Sequence, residues 1–244
     1  MRFRVMTYNI HKGIGGVDRR YQLERVAETI AHCEPDIVLL QEVDRDVPRS
    51  GRHDQAHRLA ELLDFPHYAF QMNVHLTSGG YGNAVLSRYR VEHTWDLELT
   101  VPFKKRRRGL AVVVRPRADQ PAHDVLVYNL HLGLAGYERR MQLRRLLGCP
   151  SLGADSHYAT VILGGDFNDV WGNLGRQILE PVRFESAAGN FRTFPAVMPL
   201  RPLDRLFYRG PVRAEHSFVC QTQVARRASD HLPLVVDFRT LPGR

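Results

Sequence analysis

The segment Thr160-Val161-Ile162-Leu163-Gly164-Gly165-Asp166-Phe167-Asn168 joins an apolar run to two glycines and then to two polar side chains spaced two apart. A short β-branched run bounded by glycine reads as a buried strand. The paired glycines predict a turn at which the backbone comes close to a partner, expected to be a substrate. In Asp166-Phe167-Asn168 both polar side chains project to one side while Phe167 packs inward. An Asx turn is the competing reading of the same three residues.

This strand (Thr160 to Leu163) follows a helical pattern over Tyr137 to Leu147 and a strand over Val125 to Leu130. The same strand-helix-strand order opens the chain. Arg2 to Ile10 alternates, Tyr21 to His32 carries Leu23, Val26, Ala27 and Ile30 at helical spacing, and Asp36 to Gln41 is a compact apolar run. A helix over Gln55 to Leu63 comes next. Strands over Tyr68 to Asn73, Asn83 to Ser87, Val91 to Leu99, Leu110 to Arg115 and Val125 to Leu130 then predict an antiparallel meander. Toward the C-terminus we expect a short helix near Asn173 to Leu179 and strands near Leu206, Phe218 and Leu234 to Phe238, with Pro195 to Pro202 as a loop. Two strand-rich halves that each carry helices predict an α/β fold, a four-layer sandwich of two packed mixed β-sheets flanked by helices.

With 244 residues and 43% apolar content, the chain suits one large core, so a single domain over residues 1–244 is expected. Lys plus Arg outnumber Asp plus Glu by 34 to 26, a formal charge of +8 that favours polyanionic partners. The first ten residues lack the apolar run of a signal peptide, and no apolar stretch of about 18 residues is present to span a bilayer. A cytoplasmic location is the default expectation. Cys33, Cys149 and Cys220 have neither zinc-site nor disulfide-scaffold spacing and are expected to be buried reduced thiols.

Most predicted strands end in a polar cluster: Asn9 and His11, Gln41 and Glu42, His131, Asp166 and Asn168, then Asp230 and His231. Carboxylates and amides gathered at strand ends are the hard-oxygen ligands that Mg²⁺ or Mn²⁺ prefers, whereas zinc would draw more His or Cys. Each residue also has a plainer role. Glu42 after a buried strand needs a compensating charge, which a metal ion or an arginine supplies. Asn9 suits a turn cap, His131 a hydrogen-bonded core position, and Asp204 a bridge to Arg205 or Arg201.

Five blocks, in order, resemble the signature of the endonuclease/exonuclease/phosphatase superfamily: Thr7-Tyr8-Asn9, Leu40-Gln41-Glu42-Val43, Asn129-Leu130-His131-Leu132, Gly164-Gly165-Asp166-Phe167-Asn168 and Ser229-Asp230-His231-Leu232-Pro233. Two accessory blocks, Tyr81 to Arg88 and Leu203 to Phe207, are similar to the family as well. The resemblance spans Arg2 to about Phe238 and implies a DNase I-like fold and metal-dependent hydrolysis of phosphate esters. It implies that Glu42, Asn9 and Asp230 hold a Mg²⁺ or Mn²⁺ ion, and that Asp166 orients or deprotonates the attacking water. Asn168 would contact the phosphoryl oxygens and Asp204 would fix the tautomer of His231. His131 and His231 would stabilise the transition state or protonate the leaving group. A His at the third block aligns the chain with DNase-like and sphingomyelinase-like members.

His11, Lys12 and Asn83 are expected near the mouth of the crevice as substrate-binding residues. The run Lys104 to Arg108, represented by Arg106, is either a solvated loop or a grip for phosphate groups of a nucleic acid or an anionic lipid headgroup. A small-molecule or phospholipid-type phosphodiester ranks slightly ahead of DNA or RNA as substrate, because the opening Tyr-Asn-Ile-His-Lys-Gly resembles compact bacterial members. A catalytically silent polyanion-binding domain is the rival from another class. Its mark would be lost site residues, and every principal position is present.

Overall fold

The computed structural model describes residues 1–117, 120, 123–153, 156 and 158–241. Its first sheet is built from β1 (Arg2–Asn9), β2 (Ile37–Arg45), β3 (His67–His75), β4 (Gly80–Ser87), β11 (Val212–Val219) and β12 (Leu234–Thr240), in the order β11-β12-β1-β2-β4-β3. The second holds β5 (Arg90–Glu98), β6 (Arg108–Arg115), β7 (Val125–His131), β8 (Thr160–Asp166), β9 (Glu185–Ser186) and β10 (Asp204–Arg209), in the order β5-β6-β7-β8-β10-β9. Both are mixed. Each has one parallel pair at its centre, β1 with β2 and β7 with β8, and antiparallel neighbours on either side.

Parallel strands need a crossover, and a helix supplies each one: α1 (Leu23–Cys33) between β1 and β2, α3 (Gly136–Leu147) between β7 and β8. The period-2 alternation of the strands explains the layers. In β1, Phe3 and Val5 face the seam between the sheets, with Ile37, Leu39, Val112, Ile162 and Leu206, while Met6 and Tyr8 face outward onto Val26 and Ile30 of α1. On the far side Tyr128, Leu130 and Leu163 meet Leu143 and Leu146 of α3. Together with α2 (Gln55–Leu62) and α4 (Gln223–Ala228), these helices complete the four layers expected of the sequence.

Several expectations need correction. The predicted meander is divided between the two sheets: β4 already has β2 on one edge and β3 on the other, so β5 has no free edge there and opens the second sheet. The Gly164-Gly165 pair is not a turn facing a substrate but the interior of β8. A Cβ on Gly165 (φ +140°) would overlap the carbonyl oxygen of Leu130 in β7, so the close approach is between strands. The strands β9 and the helix α4 carry no strong periodic signal and were not anticipated. Cys33 and Cys220 are buried, but Cys149 is only half-buried; all three are free thiols. Among the described residues no helix is long and apolar enough to cross a membrane.

A polar bridge ties the sheets together beneath the crevice. The Asn129 amide on β7 donates to the carbonyls of Leu40 and Ala84 in the first sheet, both at 2.8 Å, and accepts from Gln41 Nε2 at 2.7 Å. All of it is buried. Replacing Asn129 by Leu takes the side-chain donor from two carbonyls, while the Gln41 amide keeps Thr7 Oγ1 and Leu39 O as acceptors; each buried polar group left unpaired costs about 1–3 kcal/mol. Asn129→Leu should therefore lower unfolding free energy by about 2–5 kcal/mol in urea titrations; a loss below about 1 kcal/mol would show that the bridge does not hold the sheets.

Candidate active site

The crevice lies where both sheets end. In the second sheet the register places His131, Asp166 and Asp204 side by side, Asp166 being the partner of His131 across the parallel pair and of Asp204 across the antiparallel one. From the first sheet, Asn9 at the end of β1 reaches across and donates its Nδ2 to Asp166 Oδ2 at 3.1 Å. The turn Ser229 to His231, just before β12, adds the last member. Ser229 Oγ donates to the carbonyl of Asn9 at 2.7 Å and accepts from the backbone N–H of His231 at 3.2 Å, which pins the histidine over the seam.

The result converges on one atom. Asp166 Oδ2 lies 3.1 Å from Asn9 Nδ2, 3.6 Å from His131 Nε2 and 3.8 Å from His231 Nε2. Its other oxygen accepts from the backbone N–H of Asn168 at 2.8 Å, the Asx turn read from the sequence, while Phe167 is buried against Phe207. Asn168, in the left-handed region (φ +48°), donates its amide to Leu132 O. His231 Nδ1 sits 2.8 Å from Asp204 Oδ2, which also accepts from the Thr193 hydroxyl at 2.5 Å. Phe194 covers the ring at a centroid distance of 4.9 Å. Thr193 and Phe194 precede the Pro-rich loop and carried no sequence signal.

Electrostatics divide the two histidines. Burial disfavours a charged His231, but the charges of Asp204, Asp166 and Asp230 and the Asp204 hydrogen bond outweigh it and push the pKa up to about 10. His131 goes the other way. Burial, then the positive charge of Arg107, hold it well below the ordinary value against the pull of Glu42. Burial also raises Asp166, opposed by His231 and assisted by Asp204. One ring is thus a cation, the other a neutral donor and acceptor, around a carboxyl that takes up a proton more readily than usual.

Glu42 is presented by a β-bulge. The β2–β4 register shifts between Leu40 and Val43, and Glu42 takes φ +56°, turning its side chain out of the strand. Its carboxylate accepts from the Lys12 ammonium. Burial opposes its ionisation, yet the charge and hydrogen bond of Lys12 act to lower its pKa. The backbone N–H of His11 donates to Asn9 Oδ1 at 3.1 Å, and the His11 ring stands 3.9 Å from Asp230. Asn9, His11, Lys12, Glu42, His131, Asp166, Asn168, Asp204, Asp230 and His231 thus form one connected group.

Two expected substrate contacts lie elsewhere. Asn83, fully buried in β4, donates to the Arg108 carbonyl at 3.1 Å, and Arg106 points away to Glu98 at 3.8 Å. The neighbour Arg107, buried and acting on His131, is the arginine that the charge run concealed.

The family model of the Endonuclease/Exonuclease/phosphatase family matches residues 6–231. The chain belongs to this family. Within it, the chain is 32% identical to the Uncharacterized protein YbhP of Escherichia coli K12 over 246 aligned positions, covering 95% of this chain and 94% of that one. It is similar to the solved endonuclease/exonuclease/phosphatase from Beutenbergia cavernae, with a TM-score of 0.82, 28% identity, and coverage of 98% of this chain and 72% of that one. ANGEL2, a 2′,3′-cyclic phosphatase, shares the fold at a TM-score of 0.75 and 17% identity, over 98% and 96% of the two chains. The family fold accounts for why the five polar blocks meet at one end of the two sheets.

The raised pKa of His231 makes a stability prediction. The protonated ring contributes fully below its ordinary value of 6.5, and that contribution is lost as the pH climbs toward about 10. Unfolding free energy should fall across this window with a slope of up to about 1.4 kcal/mol per pH unit, and Asp204→Asn should flatten it. A wild-type profile with no slope there, measured by urea unfolding, would contradict the assignment.

Proposed function

We propose that the chain hydrolyses a phosphodiester with the aid of a divalent cation, Mg²⁺ or Mn²⁺, by in-line attack of water. The observation that carries this reading is the convergence of Asn9, His131 and His231 on one oxygen of buried Asp166. A carboxyl with a raised pKa at the centre of a crevice is suited to take a proton from water near neutral pH. His231, cationic and fixed by Asp204, offers its Nε2–H and its charge to a phosphoryl oxygen. Neutral His131 offers a hydrogen bond on the same side, and Asn168 keeps a second amide hydrogen free for another phosphoryl oxygen.

The donor set fits a hard cation. Glu42, thrust out by its bulge, already draws a positive group in the form of the Lys12 ammonium, and the Asp230 carboxylate is half-exposed beside His11. Among the described residues no three His, Cys, Asp or Glu side chains close into a cage. An ion held by Glu42 and Asn9, with Asp230, would therefore keep several waters, which is the habit of Mg²⁺ rather than of a structural zinc. Such an ion supplies charge neutralisation at the phosphoryl group and at the leaving oxygen.

Asp166→Ala and His231→Ala should each reduce turnover of a chromogenic phosphodiester by about 10²–10³ or more while leaving the circular-dichroism spectrum unchanged. Chelation should remove activity, and added Mg²⁺ or Mn²⁺ should restore it. Full activity of either variant with Mg²⁺ present would refute the proposal.

A further inference from the structure

The cations of the basic segment between β5 and β6 differ in their partners. Arg106 and Arg108 pair with carboxylates of β5, Arg106 with Glu98 at 3.8 Å and Arg108 with Asp96 at 3.2 Å and Glu98 at 3.3 Å. Lys105 and Arg107 take no part in these pairs: Lys105 is exposed and Arg107 is buried. The Lys105 ammonium lies 5.1 Å from the centre of the Tyr81 ring at the start of β4. The same ring also meets Lys12 at 5.6 Å and Arg49 at 5.4 Å. Three cations around one tyrosine need counter-charges, and two have them: Lys12 has Glu42, and Arg49 is bidentate on Asp44. Lys105 and Arg107 have no ion-pair partner among the described residues.

Arg107 is the more telling of the two. It is only 6% exposed, and its Nε is buried without a hydrogen-bond partner. The Nε is closed off from water with no carboxylate beside it among the described residues, so an anion supplied from outside would give this guanidinium the partner it lacks. The backbone around it is held rigidly. Arg107 N donates to Thr100 Oγ1 at 3.0 Å, Leu99 N donates to Arg107 O at 2.9 Å, Arg108 N donates to Asn73 Oδ1 at 2.9 Å, and Arg108 O accepts from Asn83 at 3.1 Å. Asn73 and Asn83 belong to the first sheet, so the opposite sheet fixes where this arginine stands. A guanidinium on a fixed backbone, with an unpaired ammonium two residues away in the chain, suits the oxygens of a phosphate.

We infer that Lys105, Arg107 and the Tyr81 edge form an anion subsite that takes a second phosphate group of the substrate, adjoining the phosphate held at Asp166, His131 and His231. This rests on the reading of the crevice as a phosphodiesterase site, and it names the substrate class as esters bearing at least two phosphates. A nucleic-acid strand and a small bisphosphorylated molecule present the same chemistry to it.

The test measures binding by calorimetry to the full chain with Mg²⁺ in an Asp166→Asn background, which leaves bound ester intact. Thymidine 3′,5′-bisphosphate should bind about tenfold more tightly than thymidine 5′-monophosphate. Lys105→Ala and Arg107→Gln should each remove most of that preference, and Arg106→Ala should leave it in place. Inositol 1,4-bisphosphate against inositol 1-phosphate identifies the source: an equal preference shows that phosphate alone is read, and a preference confined to the nucleotides assigns the subsite to a nucleic-acid strand. Equal affinity for mono- and bisphosphate in the parent, or a preference that survives Lys105→Ala, overturns the subsite. Lys105 is on the crevice wall rather than in the core, so this variant decides the matter even where Arg107→Gln impairs folding. The two readings fail separately. Wild-type protein that cleaves diesters with and without a second phosphate equally well loses only the subsite, whereas a bisphosphate preference without turnover of any diester loses only the hydrolase.

Discussion

The buried carboxylate of Asp166, shared between the two sheets, is the constraint on which the crevice depends. It sits at the end of β8, yet Asn9 from the other sheet donates to it, and His131 and His231 face the same oxygen. A carboxylate in this position is unfavourable without such partners. The sheets must therefore meet in one register, and the Asn129 bridge beneath secures it by joining β7 to β2 and β4. The fold and the site are consequences of the same packing.

Charge is arranged in opposite senses on either side of Asp166. Against the effect of burial, Asp204, Asp166 and Asp230 keep His231 protonated, while burial and then Arg107 keep His131 neutral. Two identical side chains thus acquire different roles from their surroundings. The bulge that presents Glu42 adds a third feature, an anion turned toward the crevice and already attractive to a cation. Hydrolysis of a phosphate ester needs a proton acceptor, donors for the phosphoryl oxygens and a site for a hard cation. Under the proposed reading Asp166, the two histidines and Glu42 would fill these roles.

Much of this was legible in the sequence, for identifiable reasons. The strand-helix-strand units around β1 and β7 were visible because their apolar periods are long and unbroken, and α1 buries the four residues its spacing predicts. Asn9, Glu42, His131 and Asp166 could be picked out because each stands at or near the C-terminal end of an apolar strand run, whereas Asp204 opens its strand, Asp230 and His231 precede theirs, and all three were marked by the resemblance of their blocks to the family. Assignment of β4 and β5 to different sheets was not legible, since the edges open to a strand depend on neighbours far away in the chain. The Gly164-Gly165 pair was misread for the same reason: the partner that demands glycine is Leu130 of an adjacent strand. Arg107 was hidden within a run of similar residues, and only its burial separates it from Arg106. Thr193 reaches Asp204 from an irregular loop, and such contacts leave no periodic trace.

In the proposed reaction a water molecule activated at Asp166 attacks phosphorus. Hydrolysis of a phosphodiester in oxygen-18-enriched water, with the products read by mass spectrometry, is the decisive experiment. One labelled oxygen is expected on the phosphate product and none on the released alcohol, with labelling lost in Asp166→Asn. Label in the alcohol, or undiminished incorporation by Asp166→Asn, would rule this reaction out.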